Sequence, residues 1–256
     1  MARQIGAGYT FGVFCRKAIN KGDWVGGFAN FQNVAARWDY LARRGLAAAA
    51  AGAVMLALLN IAPEFSARKA FVQGALGPYR GAAADLAQPT ASVEGVYERF
   101  AACDAALTEL ITLLQPKDKR AQVAAACLSL ADQVLRSAPT FSFAHLIRAV
   151  SLREAGQNTQ ARAALLMSEM TGGGNVQYAQ RRAAIWADEF SVLGADEFAA
   201  LQRDILRLSI APAGMAWLAG QYAQNPALRP AITNAINTLS ERQKAAFLAA
   251  VRRLSQ

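Results

Sequence analysis

The sequence predicts an all-α chain, with a single transmembrane helix followed by an antiparallel array of helices. Three observations predict it. Alanine supplies 58 of the 256 residues against 19 glycines and 8 prolines, and alanine favours helices where glycine and proline interrupt them. Only 18 % of residues are charged and the mean hydropathy is +0.15, a composition poorer in charge than soluble domains usually are and one that places part of the chain in lipid. From Val93 onward, apolar residues recur every three or four positions, the spacing of one helix face.

Residues 1–44 read as a basic, aromatic-rich leader. Arg3, Arg16, Lys17, Lys21, Arg37, Arg43 and Arg44 stand against Asp23 and Asp39, so this segment holds +5 of the chain's net +9. Charge concentrated before an apolar run, rather than spread along a face, argues against a nucleic-acid partner. The leader also carries eight aromatics, from Tyr9 to Tyr40. It could lie on an anionic leaflet with its rings at headgroup depth; partial disorder, or a short strand over 9–14, is the other reading.

Residues 45–62 read as the transmembrane helix. They contain no ionisable side chain and one strongly polar residue, Asn60. Eighteen residues rise about 27 Å, close to the hydrocarbon thickness of a bilayer. Arg43 and Arg44 abut the start, with Trp38 and Tyr40 placed as an interfacial aromatic belt, while Pro63 and Glu64 close the run. Bases before the run outnumber Arg68 and Lys69 beyond it, which predicts a cytoplasmic amino terminus and a periplasmic carboxyl-terminal domain in a bacterial inner membrane. A cleaved signal fits less well, because Asn60 and Phe65 stand where a small residue is needed before the candidate sites after Ala62 and Ala67. The Arg43-Arg44 pair lacks the rest of a twin-arginine signal. An apolar run this short can also be a buried core helix, the reading of a cytosolic scaffold.

After a connecting segment at 63–90, residues 91–256 form the helical domain. Val93, Val96, Phe100, Cys103, Leu107, Leu110 and Leu114 predict one amphipathic helix of about six turns. Pro116 opens a second, striped by Val123, Cys127, Leu130 and Val134 and ended by Pro139. A third over 141–154 turns Phe143, Ile147 and Val150 inward, and Gly156 stops it before a fourth over 159–170. The Gly172-Gly173-Gly174 run reads as a flexible loop, and helices follow near 176–190, 196–209, 212–223, 227–238 and 241–254. Ser240 and Gln243 stand at capping-box spacing before the last. Short loops between successive helices predict antiparallel neighbours.

Around 138–168 the chain resembles a tetratricopeptide repeat. Ala138-Pro139 closes one unit, and Ala149, Leu152, Gly156, Ala161 and Leu165 fall at that motif's small, apolar, glycine, alanine and apolar positions. The resemblance covers about one repeat; His145 and Gly173 depart from it, at an apolar position and at the closing proline. It implies a TPR-like helical array that binds protein segments and scaffolds assemblies.

Little in the sequence suggests chemistry. His145 is the sole histidine, no paired nucleophile accompanies it, and a structural role is expected. Asp188-Glu189 and Asp196-Glu197 sit at helix ends, where carboxylates suit the dipole. The glycine run lacks the lysine of a phosphate loop. No metal, no cofactor and no small-molecule ligand is expected, and the chain is not read as an enzyme. Cys103 and Cys127 lie on the stripes of two helices that should pack antiparallel about Pro116. Facing residues in such a hairpin share a number sum near 231, and theirs is 230, so a disulfide is weighed against two reduced core thiols. Arg181, Arg182 and Trp186 form a candidate basic and aromatic interaction cluster, with a solvated face and a core tryptophan as the alternative. The expected role is a membrane-anchored scaffold that holds other envelope proteins together, in a setting such as surface-polysaccharide polymerisation or export. A periplasmic glycan-acting enzyme is the alternative from another class.

Overall fold

The computed structural model describes residues 25–254 save 82, 89 and 91, and the chain divides into two compact units, Met1–Ala57 and Leu58–Gln256. The rest of the leader, with its candidate strand over 9–14, lies outside the described residues. So do the side chains of Trp38, Tyr40 and Arg43, whereas Arg44 is exposed. Among the described residues every regular element is helical.

One helix, α1, runs Val25–Val72. Its stretch Arg44–Val72 is, by length and composition, able to cross a membrane, and none of its apolar window is buried. Leu46, Val54, Met55, Leu56, Leu58 and Leu59 are 60–73 % exposed.

Pro63 does not end α1, contrary to the sequence reading. Proline inside a helix removes a donor and crowds the preceding turn, at about 3 kcal/mol, and contacts at that turn offset the cost. Ser66 Oγ donates to the Pro63 carbonyl at 2.9 Å, and the buried Arg99 donates to the same oxygen at 3.1 Å and to Ser66 Oγ at 2.6 Å. One residue on, the Glu64 carboxylate accepts from the backbone N–H and hydroxyl of Ser92 at 2.8 and 2.7 Å. Ser92 in turn caps the next long helix, α3, Val93–Thr108, by accepting from Gly95 N–H.

The stretch 63–90 is accordingly no loose connection. It holds the end of α1, a 3-10 turn at Gly74–Leu76, the short helix α2 at Gly77–Arg80 and a second 3-10 turn at Ala83–Ala87. Ala67 and Leu86 are buried, and the Tyr79 hydroxyl donates to the Ala106 carbonyl at 2.8 Å.

The expected six-turn helix breaks after Thr108, at the extended backbone of Glu109, and Leu110–Leu114 form a 3-10 turn instead. Threonine hydroxyls supply local competition: Thr108 Oγ1 donates to the Asp104 carbonyl at 2.5 Å and Thr112 Oγ1 to that of Glu109 at 2.6 Å. Leu110 and Leu114, expected inward, are 80 % and 78 % exposed, and Val93 at the other end of the stripe is 72 % exposed.

The remaining helices are α4 Lys117–Ser137, α5 Ser142–Glu154, α6 Asn158–Gly172, α7 Val176–Asp188, α8 Ala195–Leu208, α9 Pro212–Gln224, α10 Arg229–Asn237 and α11 Glu241–Leu254. Helix α4 packs on α3 and α5, α5 on α6, α7 on α8, and α9 on α11. Phe100, Leu130, Ile147, Leu165, Trp186, Leu201, Ile205 and Leu218 belong to one continuous core.

Gly156 follows the α5 C-terminus at φ +74°, and the N–H groups of Gly156 and Gln157 donate to the carbonyls of Arg153 and Leu152 at 2.9 and 2.8 Å. This is the left-handed glycine stop that leaves few helix carbonyls unpaired. Ala149 and Ala161, both buried, lie on the two helices it joins. Ser240 and Gln243 exchange backbone and side-chain hydrogen bonds at the start of α11. The glycine run is not a free loop: Gly172 closes α6, where a Cβ would collide with Ser142, and one on Gly173 would meet Arg207.

Candidate functional site

A chemically varied groove of about 620 Å³ lies between the end of α1, α3, α5 and α7, within the usual range of ligand sites. Its apolar wall is aromatic. Tyr97 on α3, Phe143 at the start of α5 and Tyr178 in the first turn of α7 converge, with Phe143 stacked on Tyr178 at 4.9 Å and 6.0 Å from Tyr97 between ring centroids. Asn175 places Tyr178 there, because its Oδ1 caps α7 by accepting from the N–H groups of Gln177 and Tyr178 at 2.9 and 3.1 Å. Phe100 buttresses Phe143 from below at 5.4 Å. Burial and the neighbouring Tyr97 push the Tyr178 hydroxyl well above its ordinary pKa, so it stays a neutral donor.

Charged pairs flank this wall. Arg181, one turn beyond Tyr178, forks onto Asp104 at 2.9–3.0 Å and also donates to Thr108. Burial pushes the Asp104 carboxyl up against the opposing pull of Arg181. On the other flank Arg68 meets Glu98 at 2.5 Å. A groove with aromatic faces and paired charges can hold an extended segment by stacking and by exchanging ion-pair partners.

The structure does not assemble Arg181, Arg182 and Trp186 into one interaction cluster. Successive helical residues point about 100° apart, so neighbours in sequence diverge while positions four apart share a face. Arg182 and Trp186 share the inward face and are 0 % exposed. Arg182 forks onto Asp204 at 2.9 and 2.6 Å, and Asp204 also takes a bond from Arg207. Burial outweighs these cations and raises the Asp204 carboxyl, whereas Glu169, gripped by Arg203 and Arg207, is held below the ordinary carboxylate range. Only Arg181 of the three reaches the groove.

Cys103 on α3 and Cys127 on α4 lie with sulfurs at bonding distance, 2.12 Å, and Cα atoms 5.8 Å apart. His145 Nε2 hydrogen-bonds the Pro139 carbonyl at 2.8 Å. The acidic pairs meet arginines, Asp188 and Glu189 with Arg153 at 2.9 and 3.4 Å, and Glu197 with Arg162 at 3.7 Å. Among the described residues no three His, Cys, Asp or Glu side chains group as metal ligands.

Sequence reasoning missed the aromatic wall and the buried Arg99. Tyr97 sits beside the α3 stripe, and its partners lie on helices whose packing no spacing fixes. Arg99 carried a readable signal, a charged residue between Val96 and Phe100 on an otherwise apolar face.

No protein-family model, curated protein or solved structure matches the chain.

Proposed function

We propose that the chain is a single-pass membrane protein whose helical domain, a TPR-like array, scaffolds cell-envelope assembly. In this reading 45–62 sits in the bilayer of a bacterial inner membrane, 1–44 is cytoplasmic, and the domain is periplasmic and holds other envelope proteins through its groove. The observation that carries the reading is the unburied apolar window of α1. Six large side chains stand exposed there, and at about 1.5–3 kcal/mol each, moving them from water into hydrocarbon gains on the order of 10 kcal/mol. The bases before the run support the orientation.

The helix pair α5 and α6, with its small contact residues and Gly156 turn, supports the repeat-like reading. The aromatic groove supports a protein segment as occupant, and a disulfide between Cys103 and Cys127 suits an oxidising compartment. Surface-polysaccharide polymerisation or export is the setting we assign to the assembly.

The test is crosslinking and pull-down from solubilised membranes with wild type and Tyr97→Ala/Tyr178→Ala. The reading expects a defined envelope protein that co-purifies with wild type and is lost from the variant. A reporter at Gln256 active only in the cytoplasm would contradict the topology, and an unchanged partner set would remove the groove from the account.

A further inference from the structure

We propose that a small cavity beside Arg99 binds a phosphate-type oxyanion, carried by a lipid headgroup or as free phosphate. The cavity holds about 190 Å³ and is lined among others by Ser66, Lys69, Gln73, Arg80, Asp85 and Arg99. That is several times the ~30 Å³ share of a water molecule and below the ~300 Å³ at which drug-sized sites begin. It suits a tetrahedral ion.

Charge points to an anion. Arg99 is 1 % exposed, yet among the described residues its guanidinium donates only to neutral oxygens, the carbonyls of Asp85 and Pro63 and the Ser66 hydroxyl. Its Nε has no partner, and no carboxylate lies within salt-bridge distance among the described residues. Glu64 and Asp85 act on it from farther away, and Glu64 is already committed to Ser92. A buried cation without a close counter-charge is costly. Lys69 and Arg80, exposed at the same cavity, also make no ion pair among the described residues, whereas Arg68 beside them pairs with Glu98. Three cations thus line the cavity against one carboxylate, Asp85. Guanidinium forks and an ammonium are the groups that recognise phosphate oxygens.

Position gives the lipid source its geometry. Ser66 and Lys69 follow Ala62, the end of the uncharged run, by four and seven residues, about 6 and 10 Å along a helix. The headgroup layer is roughly 5–8 Å deep on each side, so Ser66 falls within it and Lys69 a few ångström beyond, within reach for a lysine side chain. The headgroup source rests on the membrane reading above; the oxyanion site does not.

The experiment uses the full chain in neutral detergent at 150 mM salt, titrated with inorganic phosphate by calorimetry. In parallel, melting is followed in nanodiscs of phosphatidylcholine with or without phosphatidic acid. Lys69→Gln/Arg80→Gln changes two exposed side chains, Lys69→Gln alone is a milder second variant, and Arg242→Gln/Arg253→Gln removes equal charge elsewhere. Saturable phosphate binding, weakened at least tenfold by the site variant and less than twofold by the control, supports the site with free phosphate as source. A melting increase specific to phosphatidic acid and lost in the site variant supports the headgroup source. No response to either probe, or equal losses in site and control variants, overturns the proposal. A chain that leaves the bilayer but still binds phosphate in detergent sinks the membrane reading and leaves the site standing.

Discussion

Joining Cys103 to Cys127 closes a loop with a sequence separation of 24 between α3 and α4, and the entropy removed from the unfolded chain sets what the bond contributes. Loop closure of that size gives about 12 cal/mol/K, or roughly 3.5 kcal/mol at 25 °C. The unit from Leu58 to Gln256 unfolds with about 2.1 cal/mol/K per residue, so the same energy corresponds to roughly 8 °C in Tm. Both cysteines are 0 % exposed, so reductant reaches them chiefly through unfolding. The assay is a melt of Cys103→Ala/Cys127→Ala against wild type in detergent, followed by the near-ultraviolet signal of aromatics such as the buried Trp186. A thiol count accompanies it, on protein trapped with alkylating agent and then denatured. Of the three cysteines, only Cys15 should titrate before reduction and all three after it. Three thiols without reductant, or a Tm loss under about 2 °C, would rule out a bond that stabilises the fold by loop closure.

Other perturbations follow from the same packing. Arg182→Met leaves the fully buried Asp204 carboxylate with Arg207 as its remaining cation and should cost about 3 kcal/mol in denaturant unfolding, the low end for a broken buried pair, while Arg182→Met/Asp204→Leu recovers most of it; equal losses in both would contradict a pairing role. Gly214→Ala should destabilise by about 1–2 kcal/mol although alanine favours helices, because a Cβ would strike the Leu208 backbone; a rise in Tm would show that α8 and α9 pack more loosely. Glu169 carries a depressed pKa from its arginine partners, so the stability it contributes is present above its unfolded value near 4.5 and lost as pH falls through the folded one. Asp104 and Asp204, raised by burial, act in the opposite sense, contributing stability at acid pH that fades as pH rises through their folded values. Glu169→Gln should therefore flatten the acid limb of Tm against pH, and an unchanged slope would assign acid unfolding elsewhere.

Local signals carried the helices. Three- and four-residue spacing marked α4 through α11 to within a few residues, and Gly156 and Ser240 marked ends because backbone conformation and capping are local physics. The hairpin count about Pro116 also set Cys103 against Cys127, although it ran through a helix to Leu114 that in the structure breaks at Glu109. What escaped depends partly on contacts distant in sequence and partly on local geometry that apolar spacing does not register. Pro63 reads as a stop until Arg99 and Glu64 brace the turn around it, and the α3 stripe reads as continuous until Thr108 and Thr112 bond their own backbone. Arg181 and Arg182 look like one basic patch on paper, but a helix sends them to different faces, one to a groove and the other into the core. The groove needs four elements in place, and no periodicity encodes that.

Immersion of the unburied run of α1 in lipid can be read from alkaline carbonate extraction of native membranes. A membrane-spanning chain stays in the pellet, and deleting 45–62 moves it to the supernatant. Release of the intact chain by carbonate or salt would contradict it.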